Sequence, residues 1–260
     1  MPIPKAAQEF DEISPQYDAT REPLPGETIQ KIAATLSERG VRSLLEVGVG
    51  TGRIARPLGD AGLRVTGVDA SRGMLARARA KGIPRLVRGS AYHLPFLNSA
   101  FDGAIFVHVL HVLDDPRRAI GEASRVGRLG AFALVRPPRG ADEPGRGEFR
   151  EARRVVSRIL GEQGYPVPAR AAGGPPRRER ELLAQFPPDE LVVVTDRTVT
   201  EPAARSLDMI ARGASRHLLH VPRDVLARAV ESAREEIGDR TVTYRRVEAI
   251  ASWRAVPASA

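Results

Sequence analysis

Three glycines at alternate positions follow a short apolar segment that ends in a single acidic residue. The acid is Glu46, and the glycines are Gly48, Gly50 and Gly52. Glycine reaches positive φ values at little cost and has no Cβ, so its backbone can approach a ligand closely. The pattern therefore predicts a buried strand, a ligand-binding turn and then a helix. It differs from the dinucleotide fingerprint G-x-G-x-x-G, because the third glycine comes one residue early and an acid precedes the first.

The acids at the ends of the first two predicted strands indicate the kind of ligand. Asp69 ends the second apolar segment, where a carboxylate can accept hydrogen bonds from both hydroxyls of a ribose. NAD would use the same acid, so Asp69 implies a nucleoside without selecting one. Glu46 does discriminate, because an acid beside the turn would repel a pyrophosphate bound at the helix N-terminus. It suits a ligand that carries an ammonium group and a positively charged sulfur.

The composition excludes several classes of chemistry. The chain of 260 residues has no cysteine, which rules out disulfides, thiolate metal sites and cysteine nucleophiles. Its five histidines show no HExxH or related spacing, so we expect no metal site. The N-terminal residues lack the apolar core of a secretory signal, and no segment approaches the roughly 18 apolar residues of a membrane span. We therefore expect a soluble, cytoplasmic protein.

The positive charge raises the question of nucleic acid. The formal net charge is +8, and 37 of the 40 basic residues are arginines. They are spread along the chain and mostly interleaved with acids, while aromatic residues make up only 5%. A groove for single-stranded nucleic acid would combine basic with aromatic residues. We expect a solvated arginine-rich surface, a small-molecule partner rather than nucleic acid, and a monomer or homodimer.

Alternating strand and helix patterns predict an α/β fold. Strands are predicted at residues 41–47, 63–69, 85–88, 101–107 and 129–135, and helices at residues 25–39, 53–61, 71–81 and 115–126. Ser71 is a good N-cap for the third of these helices. Strands that alternate with helices form βαβ units with right-handed crossovers, which give a doubly wound parallel sheet.

The rest of the chain is predicted to cover the site and complete the sheet. Residues 138–187 are rich in proline and glycine around a helix near 148–160, and we interpret them as a helical lid insertion. A strand at 190–198, helices at 202–212 and 223–237, and an antiparallel strand at 241–254 follow. The whole chain, 1–260, is assigned to a single domain. Its parts are an N-terminal arm and helix (1–40), a cofactor-binding core (41–137), the lid (138–187) and C-terminal strands and helices (188–260).

Four motifs follow one another along the first half of the chain. They are LLEVGVGTGR at 44–53, VDAS at 68–71 with Met74, GSAYHLPF at 89–96 and FDGAIFVHVLHVLDDP at 101–116. In this order they resemble the class I S-adenosylmethionine-dependent methyltransferases, most of all the small-molecule branch with the ubiquinone/menaquinone-type enzymes. The resemblance covers about residues 41–137. It implies a Rossmann-like methyltransferase fold with seven strands, the last antiparallel, S-adenosyl-L-methionine as methyl donor and S-adenosyl-L-homocysteine as product.

The resemblance also implies which residues bind the cofactor. Glu46, Gly48 and Gly50 would hold the methionine moiety, and Asp69 the ribose. The family usually has an aspartate where this chain has Ser90, so the backbone near Ala91 would share recognition of the adenine amino group. The other cofactor contacts would be Ala70, Met74, Leu94 and Val107, with Tyr17 and Arg21 on an arm that folds over the cofactor.

The candidate catalytic residue is His108, because related enzymes place the residue nearest the transferable methyl after the fourth strand. His111 and Arg136 are candidate substrate contacts. For each histidine, ordinary packing stays open as the alternative. Arg53 could meet the methionine carboxylate or face solvent, and His217 and His220 could face the cleft or the surface.

Two other functions stay open at this point. An RNA methyltransferase could use the arginine-rich surface, and a non-catalytic relative could keep the cofactor site without turnover. The missing catalytic constellation does not argue against an enzyme, because a sulfonium methyl group is already activated and a general base is optional for some nucleophiles.

Overall fold

The protein is built on one mixed β-sheet in a computed structural model. The structure describes residues 5–21, 23–137, 151–167, 175–212 and 218–254. The strands are β1 Ser43–Val47, β2 Arg64–Asp69, β3 Leu86–Arg88, β4 Gly103–Val107, β5 Ala131–Val135, β6 Glu190–Pro202 and β7 Thr241–Trp253. The seven strands of these residues lie in the order β3-β2-β1-β4-β5-β7-β6.

The pairing confirms the predicted fold class. Strands β1 to β5 pair in parallel, whereas β7 runs antiparallel to both β5 and β6. The strand order reverses beside β1, with β2 on one side and β4 on the other. Ligands of open α/β sheets bind at such a switch point, beyond the carboxyl ends of the strands. The glycine turn follows β1 at this position.

Helices cover both faces of the sheet. They are α1 Lys5–Ile13, α2 Gly26–Glu38, α3 Ala55–Asp60, α4 Arg72–Ala80, α5 Pro116–Val126, α6 Glu151–Glu162, α7 Pro175–Gln185, α8 Arg205–Ala211 and α9 Arg223–Ile237. Adjacent residues of one strand point to opposite faces. Leu44 thus packs into the core formed with α2, α3 and α4, and Leu45 into the core formed with α5.

Two capping residues begin helices where the sequence predicts them. The side chain of Ser71 accepts a hydrogen bond from Met74 N at 3.0 Å, which caps α4. Asp115 accepts one from Arg118 N at 3.0 Å and caps α5, with Pro116 in the first turn. An N-cap of this kind stabilises a helix by about 1 kcal/mol.

The C-terminal third differs from the prediction in two ways. Strand β6 extends to Pro202, and residues 241–248 of β7 pair with β6 alone, so the two strands form a two-stranded antiparallel ribbon beyond the rest of the sheet. Helix α7 is absent from the prediction, because Pro175 and Pro176 suggest a turn. Proline is compatible with the first turn of a helix, where its missing N–H has no partner in any case.

Helix α6 of the predicted lid packs away from the sheet. A separate apolar cluster contains Leu160 of α6, Leu207 of α8, Val230 of α9 and Val242 of β7. Residues 138–150 and 168–174 of the predicted lid lie outside the described residues. The division of the chain into one domain with four parts stays a prediction.

Candidate functional site

The glycine turn has the backbone that its sequence requires. Gly48, Gly50 and Gly52 have φ values of 76°, 55° and 75°, a region that glycine favours. A Cβ on Gly48 would lie 2.7 Å from the side chain of Val109, so packing also requires glycine there. A Cβ on Gly50 would meet nothing within 4 Å. The space beside Gly50 is therefore open to a ligand.

Asp69 joins the turn to the end of β2. Its Oδ2 accepts a hydrogen bond from Gly50 N at 2.8 Å, and its Oδ1 accepts one from Ser71 N at 2.9 Å. Each carboxylate oxygen has a second lone pair, so both can still accept one hydrogen bond. Burial raises the pKa of Asp69, although these backbone hydrogen bonds oppose the shift. A pair of ribose hydroxyls would supply the two donors that this buried group lacks.

Glu46 is a buried carboxyl group with an unsatisfied oxygen. Its residue is 2% exposed, and Oε2 has no hydrogen-bond partner among the described residues. Burial, and next the charge of Asp69, raise the pKa of Glu46 to about 8. Burying an unpaired carboxylate is costly, so such a group either stays protonated or meets a cation. A ligand ammonium group would satisfy it.

The N-terminal arm, residues 5–21, is attached to both sides of this site. Asp18 Oδ1 accepts a hydrogen bond from Thr51 Oγ1 in the glycine turn at 2.5 Å, and Asp18 Oδ2 forms an ion pair with Lys81 at 2.5 Å. Although burial acts in the opposite direction, these two partners lower the pKa of Asp18. The arm is thus held against the turn by a charged contact.

A second contact holds the arm to the start of α4. Asp11 Oδ1 accepts hydrogen bonds from Ser71 Oγ at 2.6 Å and from Gly73 N at 2.7 Å. The guanidinium of Arg21 lies 4.9 Å from the ring centroid of Tyr17. Both residues lie near Arg53, next to the glycine turn, because their charges affect its pKa. Asp11 and Asp18 were not identified from the sequence, because their partners lie far along the chain.

The predicted adenine contacts are buried or partly buried residues that follow β2 and β3. Met74 and Leu94 are 2% and 5% exposed, and Ala70 and Ala91 are half-buried. Ser90 Oγ accepts a hydrogen bond from Tyr92 N at 3.2 Å. Its hydroxyl hydrogen and second lone pair stay available, so Ser90 can still contribute to a polar contact.

His108 combines an unusual backbone conformation with a partly exposed side chain. It follows the carboxyl end of β4 with a φ of 55°, a strained value for a residue other than glycine. Its side chain keeps 37% of its surface exposed, although protein surrounds it closely enough for burial to dominate its titration. Burial, and next the charge of Arg136, lower the pKa of His108 to about 3. The imidazole is therefore neutral and weakly basic at neutral pH.

Two buried glutamates that the sequence did not indicate lie beside the histidines. Glu248 of β7 is fully buried, and its Oε1 lies 3.9 Å from His108 Nε2. Glu179 of α7 is 4% exposed, and its Oε1 lies 3.5 Å from His111 Nδ1. Neither glutamate belongs to a recognisable motif. Their positions follow from strand pairing and helix packing, which no local pattern encodes.

His217, His220 and Arg53 are the other residues that the sequence offers as possible contacts of the site. His220 is exposed, and His217 lies outside the described residues. Arg53 is half-buried beside the glycine turn, and burial lowers its pKa. Among the residues that the structure describes, no group of three or more histidine, aspartate or glutamate side chains could hold a metal ion.

Comparison with known proteins places this geometry in a family. A methyltransferase domain family matches residues 45–135. The demethylmenaquinone methyltransferase of Thermus thermophilus is 33% identical over 147 residues, which cover 51% of this chain and 67% of that protein. The chain belongs to the class I S-adenosylmethionine-dependent methyltransferases. The demethylmenaquinone methyltransferase of Renibacterium salmoninarum is 32% identical over 141 residues, 50% of this chain and 57% of the relative. The chain thus spans little more than half the length of that relative.

A solved structure agrees on the fold of this class I methyltransferase. The YcgJ protein of Bacillus subtilis superimposes with a TM-score of 0.51 at 17% identity, over 88% of this chain and 99% of that one. At this identity the likeness concerns the fold alone. Within the described residues, no helix has the length and apolar character needed to cross a membrane.

The site of this class I methyltransferase fits the methyl donor of the family. The donor carries an ammonium group, a ribose and an adenine. Glu46 has an unsatisfied buried oxygen for the first, Asp69 has two remaining acceptor positions for the second, and the space beside Gly50 is open. Glu46, Asp69 and Ser90 lie at or just beyond the carboxyl ends of the neighbouring strands β1, β2 and β3.

Proposed function

We propose that this protein transfers a methyl group from S-adenosylmethionine to an oxygen, nitrogen or carbon atom of a small molecule. The observation that carries the proposal is the pair of acids at the switch point. Glu46 is buried with an unsatisfied oxygen, and Asp69 is oriented by two backbone hydrogen bonds with two acceptor positions left. A pyrophosphate would be repelled by these carboxyl groups, whereas a cationic nucleoside is attracted by them.

In this proposal Glu46 pairs with the methionine ammonium group, and Asp69 accepts hydrogen bonds from both ribose hydroxyls. Met74 and Leu94 pack on the adenine, and Ser90 with the backbone near Ala91 contacts its amino group. Tyr17 and Arg21 cover the cofactor. The arm excludes water because Asp18 and Asp11 hold it on the turn and on α4.

When bound, the cofactor supplies a methyl group that its sulfonium already activates. The chain's own contribution is then to position the acceptor and to exclude water, which can supply much of the acceleration. His108 contacts the acceptor as a neutral hydrogen-bonding group in this proposal. With a pKa of about 3 it is too weak a base to remove a proton efficiently at neutral pH.

The relatives support a small acceptor. Two of the proteins to which this chain is similar are named for demethylmenaquinone. Because the chain spans only part of them, their acceptor is not transferred to it. We place the protein in the cytoplasm, where its methyl donor is available.

Transfer of a labelled methyl group tests the proposal. The purified protein would be incubated with methyl-labelled S-adenosylmethionine and, separately, with a panel of phenols, amines, quinols and carboxylic acids, and with transfer RNA. The expected result is label in one class of small molecule, with none in RNA. Label in RNA alone, or no binding of S-adenosylhomocysteine in calorimetry, would refute the proposal.

A further inference from the structure

Five arginines from separate parts of the chain lie close enough to His108 or to one another for their charges to interact. Their positions are the arm, the glycine turn, the end of β5, helix α6 and strand β7: Arg21, Arg53, Arg136, Arg153 and Arg246. We call these residues the arginine cluster. The charges of Arg136, Arg246 and Arg53 all lower the pKa of His108 after burial, which is the largest cause. The cluster is therefore concentrated at one place in the fold.

The strand register explains why two members of the cluster, Arg136 and Arg246, meet beside His108. Val107, which precedes His108, pairs with Leu134 of β5, and Val135 pairs with Ala249 of β7. Arg136 thus leaves β5 directly between His108 and the stretch of β7 that carries Arg246. Parallel neighbours end at the same edge of a sheet, so this grouping is fixed by the fold rather than by side-chain rotamers.

Arg136 and Arg153 lack an acidic partner of their own among the described residues. Both are half-buried, and in the part of the chain that the structure describes neither guanidinium forms a hydrogen bond or an ion pair. Only the backbone N–H of Arg136 is engaged, by Glu179 Oε2 at 3.4 Å. Burial, and next the charges of Arg21 and Arg136, lower the pKa of Arg153. Two neighbouring, half-buried cations without an acidic partner among the described residues destabilise the protein unless an anion binds between them.

The carboxylates nearby do not neutralise the cluster. Glu248 Oε1 is occupied by Arg246, at 3.1 Å from Nη2. Glu179 lies between the backbone of Arg136 and His111. Among the described residues, Glu179 and Glu248 therefore leave the guanidinium groups of Arg136 and Arg153 without an acidic partner. A group of like charges attracts ligands of the opposite sign.

The strand order indicates which arginines would lie near the methionine carboxylate of the cofactor and which would lie farther from it. In the sequence β2-β1-β4-β5, Asp69 ends β2, the glycine turn with Arg53 follows β1, and His108 follows β4. Arg136 follows β5, one strand farther from the adenosine end. Arg53 is thus the member placed to meet the methionine carboxylate, whereas Arg136 lies one strand beyond His108, on the side where an acceptor would bind. Arg153 lies near enough to Arg136 and Arg21 for their charges to act on it.

We propose that the methyl acceptor is an anionic small molecule whose carboxylate or phosphate binds between Arg136 and Arg153. The proposal rests on the proposed function, because it assigns these arginines to the acceptor side of the cofactor. Arginine suits this role, since its planar fork binds carboxylate and phosphate through two parallel hydrogen bonds. The acceptor's anion would also replace the missing partner of both guanidinium groups.

Anion binding to the cofactor complex tests this inference. The protein saturated with S-adenosylhomocysteine would be titrated with sodium benzoate, inorganic phosphate and pyrophosphate at constant ionic strength, with benzamide as the neutral analogue. We expect at least one anion to bind and to raise the unfolding temperature, and benzamide to do neither. R153Q and R136Q should weaken that anion at least tenfold and leave the Kd of S-adenosylhomocysteine within twofold.

R154Q is the matched control, because Arg154 is the exposed neighbour of Arg153 on α6 and its loss changes the net charge equally. It should bind the anion within twofold of wild type. R153Q should unfold at the same temperature as wild type or higher when no anion is present, since it removes a buried unpaired charge.

The contrary outcomes separate the two proposals. Anion binding that disappears on saturation with S-adenosylhomocysteine would assign the arginines to the cofactor carboxylate and overturn the inference. No binding of any anion, or equal binding by wild type, R153Q and R154Q, would overturn it as well. Failure of S-adenosylhomocysteine itself to bind would refute the proposed function instead.

Discussion

Replacement of Glu46 by glutamine should abolish a proton release that accompanies cofactor binding. The pKa of Glu46 is raised from 4.5 to about 8, so at about pH 6.5 nearly every molecule carries a protonated Glu46 before the ligand binds. An ammonium group placed beside it favours the carboxylate, and the proton leaves. The α-amino group of the ligand, with an ordinary pKa near 8, is already charged at that pH.

The number of protons released follows from this change in the protonation of Glu46. Wild type should release about one proton per S-adenosylhomocysteine bound at about pH 6.5, and its affinity should rise up to about tenfold per pH unit below the pKa of Glu46. E46Q should release none, and its affinity should not change over the same range. Isothermal calorimetry in two buffers with different ionisation enthalpies gives the number of protons directly.

A matched control separates this effect from a general change in charge. Glu27 is an exposed acid on α2, so E27Q should release the same proton as wild type. The reasoning would be refuted if wild type released no proton, or if E46Q released as many as wild type.

The same residue makes stability depend on pH. Because the folded-state pKa of Glu46 is raised, its contribution to stability is complete below about pH 4.5 and is lost as the pH rises towards about 8. E46Q should therefore be more stable than wild type by about 3–5 kcal/mol near pH 8, and the difference should shrink towards zero near pH 4.5. Urea unfolding at several pH values measures this difference in the free energy of unfolding. A difference that does not change with pH would show that ionisation of buried Glu46 is not its cause.

Three further predictions concern single contacts. D69A should weaken S-adenosylhomocysteine by about 1.5–3 kcal/mol, the range for hydrogen bonds to a charged group; calorimetry would measure it, and an affinity within twofold of wild type would exclude the ribose role. D18A should weaken binding of S-adenosylhomocysteine about three- to tenfold and speed tryptic cleavage after Arg21, because the arm loses its contacts with Thr51 and Lys81. An unchanged rate of cleavage would show that other contacts hold the arm. D102N should lower the free energy of unfolding by about 1–3 kcal/mol at neutral pH, because hydrogen bonds from Arg128 and Ser43 keep the pKa of Asp102 below 3.8. The ionised Asp102 stabilises the wild type less and less as the pH falls, so the difference between D102N and wild type in urea unfolding should disappear in acid.

The sequence was sufficient wherever one short segment determines both the conformation and the chemistry. The glycine turn, Asp69 and the Ser71 cap are of this kind, because φ values, strand ends and helix starts depend on residues a few positions apart. The parallel core also followed from the alternation of strands and helices, and the antiparallel last strand from the alternating residues at 241–254 and from the resemblance to the family. Strands β1, β2, β4 and β5 begin two, one, two and two residues later than the apolar pattern suggested.

The cleft beyond His108 could not be predicted in this way. Arg153, Glu179 and Glu248 come from α6, α7 and β7, which meet only through tertiary packing. None of them belongs to a motif, and in a chain with 37 arginines one arginine gives no signal by its type. Arg136 was expected as a substrate contact, but its lack of an acidic partner among the described residues is visible only in three dimensions.

A crystal structure with S-adenosylhomocysteine is the most direct test of how this site selects its ligand. We predict that both ribose hydroxyls donate to Asp69, that the methionine amino group lies against Glu46, and that the sulfur faces the cleft of His108, with the arm closed over the ligand. An adenosyl group bound elsewhere, or a ligand whose amino group lies away from Glu46, would contradict the central claim that these two acids select the methyl donor.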